Sequence, residues 1–339
     1  MRPRPRTRAA GTMPQSPANE GAMNSIDEIL EGVRSAAVMG HIRPDGDCVG
    51  SCLGVWNYLK SARPDIDVQV YLEDVPEVFL FLPGADKVSK DPGQDKTYDI
   101  CLAVDASDKQ RLGPFARYFD SARRTACIDH HVTNTGFAQT MHVEPQASST
   151  CEILYALMDD QYVDPHTAEC LYVGMLTDSG CFRHSSTTLR TMESAGRLME
   201  KGVPFTNIIE SVFYERTYKQ AQILGRLLSE SVLILDGRCI FSVMRLSDMQ
   251  FYQAVPADLE GVIDQLKSTK GVECAILITE VSPMQFKVSM RSKEIVDVSA
   301  VAAYFGGGGH VRAAGCTMSG TAHDVINNLA AHIERQLDA

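Results

Sequence analysis

No stretch of this 339-residue chain approaches the roughly 20 consecutive apolar residues that a bilayer-spanning helix needs. No membrane contact is therefore expected. The basic N-terminal stretch MRPRPRTRAAGTMPQSPANEGAMNS lacks the apolar core of a secretory signal and is rich in Pro, Gly and Ala. It reads as a disordered tail over residues 1–24, and the expected location is the cytoplasm. A basic excess is missing too. There are 32 Lys and Arg against 43 Asp and Glu, a net charge of −11, which is the wrong balance for coating long duplex nucleic acid. Small anionic substrates remain compatible, because the local field of a site can oppose the net charge. The ten cysteines include no CxxC pair. They sit in apolar segments such as DICLAV (Cys101), TACID (Cys127) and ECAILI (Cys274), as buried reduced thiols do. Cys48 and Cys52 lack the further ligand pairs of a structural zinc site and read as packing. No internal repeat is present.

What the chain does have is enough apolar material, 44% of its residues, for two domains. Its first part alternates: SAAVMGH, DVQVYLED, YDICLAVDASD and RTACIDHH read as strands, with VGSCLGVWNYLKS and GPFARYFDSA as helices between them. This rhythm predicts a parallel sheet with helices on its faces. Helical patterns follow in SSTCEILYALMDD, HTAECLYVGMLTD, TTLRTMESAGRLMEKG and FTNIIESVFYERTYKQAQILGRLLSE. From about residue 233 the strands SVLILDG, RCIFSVMRL, ECAILITEV and QFKVSMRS, with helices in VDVSAVAAYF and DVINNLAAHIERQL, predict a second α/β unit.

Four acidic spots fall where these elements end. His41, Asp45 and Asp47 follow the first strand in GHIRPDGDCVGS, where Pro44 and Gly46 predict a turn that places the carboxylates on a loop. Asp105 follows ICLAV, Asp129-His130-His131 follows TACI, and Asp178 stands where an apolar helix breaks at Ser-Gly. In a parallel sheet the C-terminal strand ends line one crevice, so the first three spots converge by topology. Crowded carboxylates repel one another unless a cation neutralises them. Imidazole with carboxylate suits Mn²⁺ or Zn²⁺, and the donors are too many for one ion. Two ions about 3.5–4 Å apart would suit hydrolysis of a phosphoester. The other feature is AYFGGGGHVRAAGCTM. Four successive glycines make sense where backbone must approach a ligand closely, with His310 and Arg312 beside them and Arg291 at the end of a strand as a phosphate grip.

The order HxxPDGDxxGS, VD, DHH, TDSG, closed by GGGGHVRAAG, resembles the DHH phosphoesterase superfamily with its DHH-associated C-terminal domain. The resemblance implies an α/β fold: a parallel-sheet catalytic domain with helices on both faces (25–212), a helical linker (213–232) and a smaller mixed-sheet substrate-binding domain (233–339), with the active-site cleft between the domains. It implies two Mn²⁺, with Mg²⁺, Co²⁺ or Zn²⁺ as alternatives. One would be held by His41, Asp45 and Asp105. The other would be held by Asp47, Asp105, His130 and Asp178, with Asp105 bridging. His131 would contact the scissile phosphate, with Asp129 orienting a histidine. Arg291, Gly307, Gly308, Gly309 and His310 would bind the substrate's terminal phosphate or nucleotide.

Length and the GGGGH ending make the chain similar to the stand-alone oligoribonuclease (nanoRNase) and dinucleotide phosphodiesterase type. The expected substrates are short oligoribonucleotides and linear dinucleotides (pApA, pGpG). Cyclic-di-AMP hydrolysis, 3′-phosphoadenosine 5′-phosphate phosphatase activity and a non-catalytic nucleotide-binding regulator are the alternatives. A second copy of the chain, as a homodimer, is an open partner.

Overall fold

The computed structural model describes residues 23–90, 93 and 96–338. Of the expected N-terminal tail, only Met23 and Asn24 fall within them. Contacts divide the chain into two units, 1–215 and 216–339.

The first unit is built on five parallel strands: β1 (Ser35–Met39), β2 (Asp67–Tyr71), β3 (Ile100–Val104), β4 (Arg124–Asp129) and β5 (Thr140–Val143), in the order β2-β1-β3-β4-β5. Alternate residues of the central strands feed two separate cores. Ala36, Val38, Ile100, Leu102 and Ile128 face one side, and Ala37, Met39, Cys101, Ala103 and Cys127 the other. A strand buried on both faces has no polar side to spare, which is why ICLAV and TACI are unbroken apolar runs. β5 was not anticipated; four residues are too few to show a period.

Helix α1 (Gly46–Ala62) begins earlier than the loop reading placed it. Asp45 is itself its N-cap, accepting from Cys48 N at 3.1 Å, so Asp47 lies in the first helical turn rather than on a loop. Three further helices matter to the site: α2 (Thr150–Leu157), α3 (Pro165–Asp178) and α4 (Leu189–Glu200). α1 and α3 meet at glycines. A Cβ on Gly50 would lie 2.5 Å from the Cys170 carbonyl oxygen, and one on Gly174 would lie 2.7 Å from Asp47 Oδ1. Gly50→Val is expected to overpack this seam and cost about 1–3 kcal/mol. Thermal denaturation should show a melting point several degrees lower. Gly196→Ala, where the new methyl meets nothing within 4 Å, should leave the melting point unchanged or raise it.

The second unit carries six strands: β6 (Val232–Ile234), β7 (Cys239–Met244), β8 (Cys274–Ser282), β9 (Gln285–Ser292), β10 (Gly308–His310) and β11 (Ala313–Ser319). They run in the order β10-β11-β9-β8-β7-β6, antiparallel except for β7 with β8. The helical segment expected to run unbroken from Phe205 to Glu230 is interrupted. Glu215 is extended, and Thr217 with Gln220 forms a capping box that starts α5 (Tyr218–Ser229) afresh. Ile223 and Leu227 of α5 are buried with Ile240, Met244 and Leu277, so this helix shares the core of the second unit.

Candidate active site

The four acidic spots do converge, all within the first unit. β1 runs out at Met39, and Gly40 has no room for a side chain because a Cβ would meet Cys48 Sγ at 2.2 Å. His41 follows, buried, with Nδ1 against the Ile42 carbonyl oxygen at 2.9 Å. With Nδ1 donating there, Nε2 is the nitrogen turned toward the carboxylates. That Nε2 lies 3.6 Å from Asp45 Oδ2 and 3.5 Å from Asp105 Oδ2.

Asp105 directly follows β3 in a left-handed conformation, φ 55°, held by its own amide donating to the Ile128 carbonyl oxygen at 3.1 Å. Its other oxygen, Oδ1, lies 3.7 Å from His130 Nε2. The same nitrogen lies 3.5 Å from Asp178 Oδ2, at the end of α3, and 4.0 Å from Asp47 Oδ2.

The Asp-His-His corner divides its labour. Asp129 is still in β4 and fully buried, while the two histidines lie beyond the strand. The carboxylate of Asp129 accepts from His131 Nδ1 at 2.7 Å and from Asn134 Nδ2 at 2.7 Å. His130 and His131 stand edge to face, ring centroids 4.8 Å apart.

Electrostatics say what the cluster is short of. Burial, with Asp105, Asp178 and Asp45 close by, pushes the Asp47 carboxyl well above its ordinary range. Burial also raises Asp178, to about 6, with His130 opposing and Asp105 adding to the rise. For His41, burial alone would lower the pKa, but hydrogen bonds to Asp105 and Asp45 carry it up to about 11. The cluster thus draws protons to itself. Among the described residues no lysine or arginine pairs with Asp47, Asp105 or Asp178. Hard and borderline cations take this mixture of imidazole nitrogen and carboxylate oxygen. Donors sharing one cation at about 2.1 Å lie about 3–4 Å apart, which the spacings above meet. The residues present fit divalent metal.

Cys48 also comes within reach, its Sγ grouping with His41 and Asp105. Burial and its neighbour Cys52 raise the thiol well above its ordinary value, so it stays neutral and accepts from His41 N at 3.2 Å. That matches the packing reading of this cysteine.

Sequence reasoning passed over three residues here. Thr150 donates from Oγ1 to Asp105 Oδ1 at 3.0 Å. Asn134 holds Asp129. Arg111 lies in the 3-10 helix Lys109–Phe115; its carbonyl oxygen accepts from Ile42 N at 2.7 Å, and its Nε is buried without a partner among the described residues. At Thr150 the sequence signals only a helix start, Ser149 with Glu152 three residues on, and not the acceptor of its hydroxyl.

The glycine-rich segment lies in the second unit. Phe286, Val288 and Met290 of β9 point into a core, leaving Lys287, Ser289 and Arg291 on the other face. That face, with Gly307, Gly308 and Gly315, lines a groove of about 690 Å³. Gly307 is required: a Cβ there would lie 2.2 Å from the Gly315 carbonyl oxygen. Of the expected substrate-binding residues, Arg291, Gly307 and Gly308 line the groove, whereas Gly309 and His310 do not. Gly309 backs onto Ala313 and Ala314, and His310 is exposed at the end of β10. Arg312, read as a companion of the glycine loop, spends its guanidinium on the carbonyl oxygens of Val296 and Glu294. Lys287 was overlooked, although it lies four residues before Arg291 and so on the same strand face.

Residues 35–175 match the N-terminal domain of the DHH family, and residues 241–339 match the DHHA1 domain. The bifunctional oligoribonuclease and PAP phosphatase NrnA of Thermus thermophilus is 26% identical over 303 residues, 88% of this chain and 89% of that protein. The cyclic-di-AMP phosphodiesterase GdpP of Bacillus subtilis is 24% identical over 321 residues, 88% of this chain but 47% of that protein. Among solved structures, an exopolyphosphatase-related protein from Bacteroides fragilis matches with a TM-score of 0.81 at 25% identity, covering 91% of this chain and 94% of that one.

Proposed function

Because this chain belongs to the DHH family, with a DHH N-terminal domain followed by a DHHA1 domain, and is a hydrolase of phosphoester bonds, we propose that it is a Mn²⁺-dependent phosphodiesterase releasing mononucleotides from short oligoribonucleotides and linear dinucleotides. One observation carries the reading. The two oxygens of Asp105 face different partners, Oδ2 toward His41 at 3.5 Å and Oδ1 toward His130 at 3.7 Å, an arrangement that would let one carboxylate serve two cations.

His41, Asp45 and Asp105 would hold one cation; Asp47, Asp105, His130 and Asp178 would hold the other. Bound there, the pair supplies a water of lowered pKa as nucleophile and neutralises the charge growing on the phosphoryl oxygens. The remaining work is done by the chain. Asp129 fixes the His131 ring through Nδ1 and, chiefly by that hydrogen bond, raises its pKa. His131, so oriented, would present Nε2 to a non-bridging phosphoryl oxygen. Arg291 and the amides of Gly307 and Gly308 serve a terminal phosphate. A net charge of −11 suits substrates with few phosphates, which release few counterions on binding.

Two other substrates would use the same centre. 3′-Phosphoadenosine 5′-phosphate is favoured by the NrnA relative, whose name carries both activities, and cyclic-di-AMP by the GdpP relative. A panel of pApA, pGpG, five-mers, cyclic-di-AMP and 3′-phosphoadenosine 5′-phosphate, each with Mn²⁺ and with Mn²⁺ plus excess chelator, separates the readings. Linear dinucleotides should turn over fastest, and chelator should stop all hydrolysis. Cleavage that survives chelation, or a preference for the cyclic substrate, would overturn the proposal.

A further inference from the structure

Thr150 touches both acidic residues at the middle of the centre. Its hydroxyl donates to Asp105 Oδ1 at 3.0 Å, and its amide donates to Asp47 Oδ2 at 2.7 Å. The next amide, Cys151 N, takes the other oxygen of Asp47 at 3.0 Å. Thr150 is fully buried, so no water competes for these bonds. Its neighbours are occupied elsewhere. Ser149 caps α2 by accepting from Glu152 N at 3.1 Å, and Ser148 donates to Glu152 Oε2 at 2.6 Å. The same Glu152 oxygen accepts from Thr191 Oγ1 at 2.7 Å, so α4 pins the segment from behind.

We infer that Thr150 is a positioning residue that sets the orientation of the bridging carboxylate, an inference that rests on reading the cluster as a two-cation centre. A terminal carboxylate torsion is broad and roughly two-fold, so the backbone of Asp105 does not by itself fix where its oxygens point. The hydroxyl of Thr150 engages Oδ1, the oxygen on the His130 side, and so turns Oδ2 toward His41. The start of α2 does the equivalent for Asp47, where two amides of the helix N-terminus each hold one of its oxygens. One short segment thereby orders two of the three carboxylates that would serve the cation on the His130 side, Asp47 and Asp105, while His41 and Asp45 depend on it little. Threonine suits the role because its β-branch restricts χ1 to few settings.

Thr150→Val removes the hydroxyl and keeps the shape, and Thr150→Ser restores the hydroxyl. Calorimetric titration of Mn²⁺ into the full-length, metal-stripped protein reads cation binding apart from activity. Wild type should bind two ions. Thr150→Val should bind the weaker of the two about 10–100-fold less tightly, keep its metal-free melting point, and lose kcat on pApA with little change in KM. Thr150→Ser should recover both affinity and kcat. If Thr150→Val binds both ions as wild type does, the positioning role is wrong. It is equally wrong if Thr150→Val melts early without metal and Thr150→Ser fails to restore affinity, since that marks a merely structural residue. Wild-type protein that takes up no Mn²⁺ would instead overturn the underlying reading of the centre.

Discussion

Asp105→Asn protein is expected to fold as wild type does and to hydrolyse pApA at least about 1,000-fold more slowly, a loss of about 4 kcal/mol of transition-state stabilisation. Asparagine is the informative replacement because residue 105 sits at φ 55°, a conformation that Asn tolerates and that strains alanine. The amide keeps the size of the side chain and an oxygen for one partner. It loses the negative charge and the second acceptor oxygen, so it cannot serve His41's side and His130's side together. Circular dichroism should show an unchanged fold, and calorimetry should show fewer Mn²⁺ bound per chain. Hydrolysis within tenfold of wild type would remove the bridging role from this residue.

The second large effect is expected at His131. His131→Gln should lower kcat by about 100–1,000-fold, the cost of removing one donor to a developing anion. Here Mn²⁺ uptake should stay near wild type, because Nδ1 of His131 is committed to Asp129 at 2.7 Å and the ring is not needed as a ligand. The split between the two variants is the useful outcome: one loses cations and turnover together, the other turnover alone. A His131→Gln protein that also fails to bind Mn²⁺ would make this histidine a ligand instead.

Most residues of the centre were readable from sequence because they stand where a regular element ends, whereas Asp47 lies in the first turn of α1. An apolar run buried on both faces stops, and an Asp or His stands at or just past its end. ICLAV before Asp105 and TACI before Asp129 announce both the strand and the spot. Topology then does the gathering, since parallel strands share one C-terminal edge. What sequence could not show is what reaches in from other elements. The hydroxyl of Thr150 acts 45 residues away from Asp105, and nothing local to Thr150 identifies its acceptor. The start of α1 was missed for a different reason. Asp45 was weighed as a ligand and not as a cap, although its two oxygens allow both uses. In the second unit, the strand AAGCTMS was not recognised beside the glycines. Its alternation shows plainly only once β9 supplies the neighbour, with Gly315 opposite Ser289.

A left-handed backbone at a residue other than glycine costs on the order of 1 kcal/mol, and at Asp105 the parallel sheet sustains it through the bond to Ile128. That expense is met while the chain folds, before any ion arrives. An incoming Mn²⁺ should therefore meet a receptacle already in shape. Stopped-flow mixing should record a single rise whose rate climbs in proportion to ion concentration, with no slower rearrangement behind it.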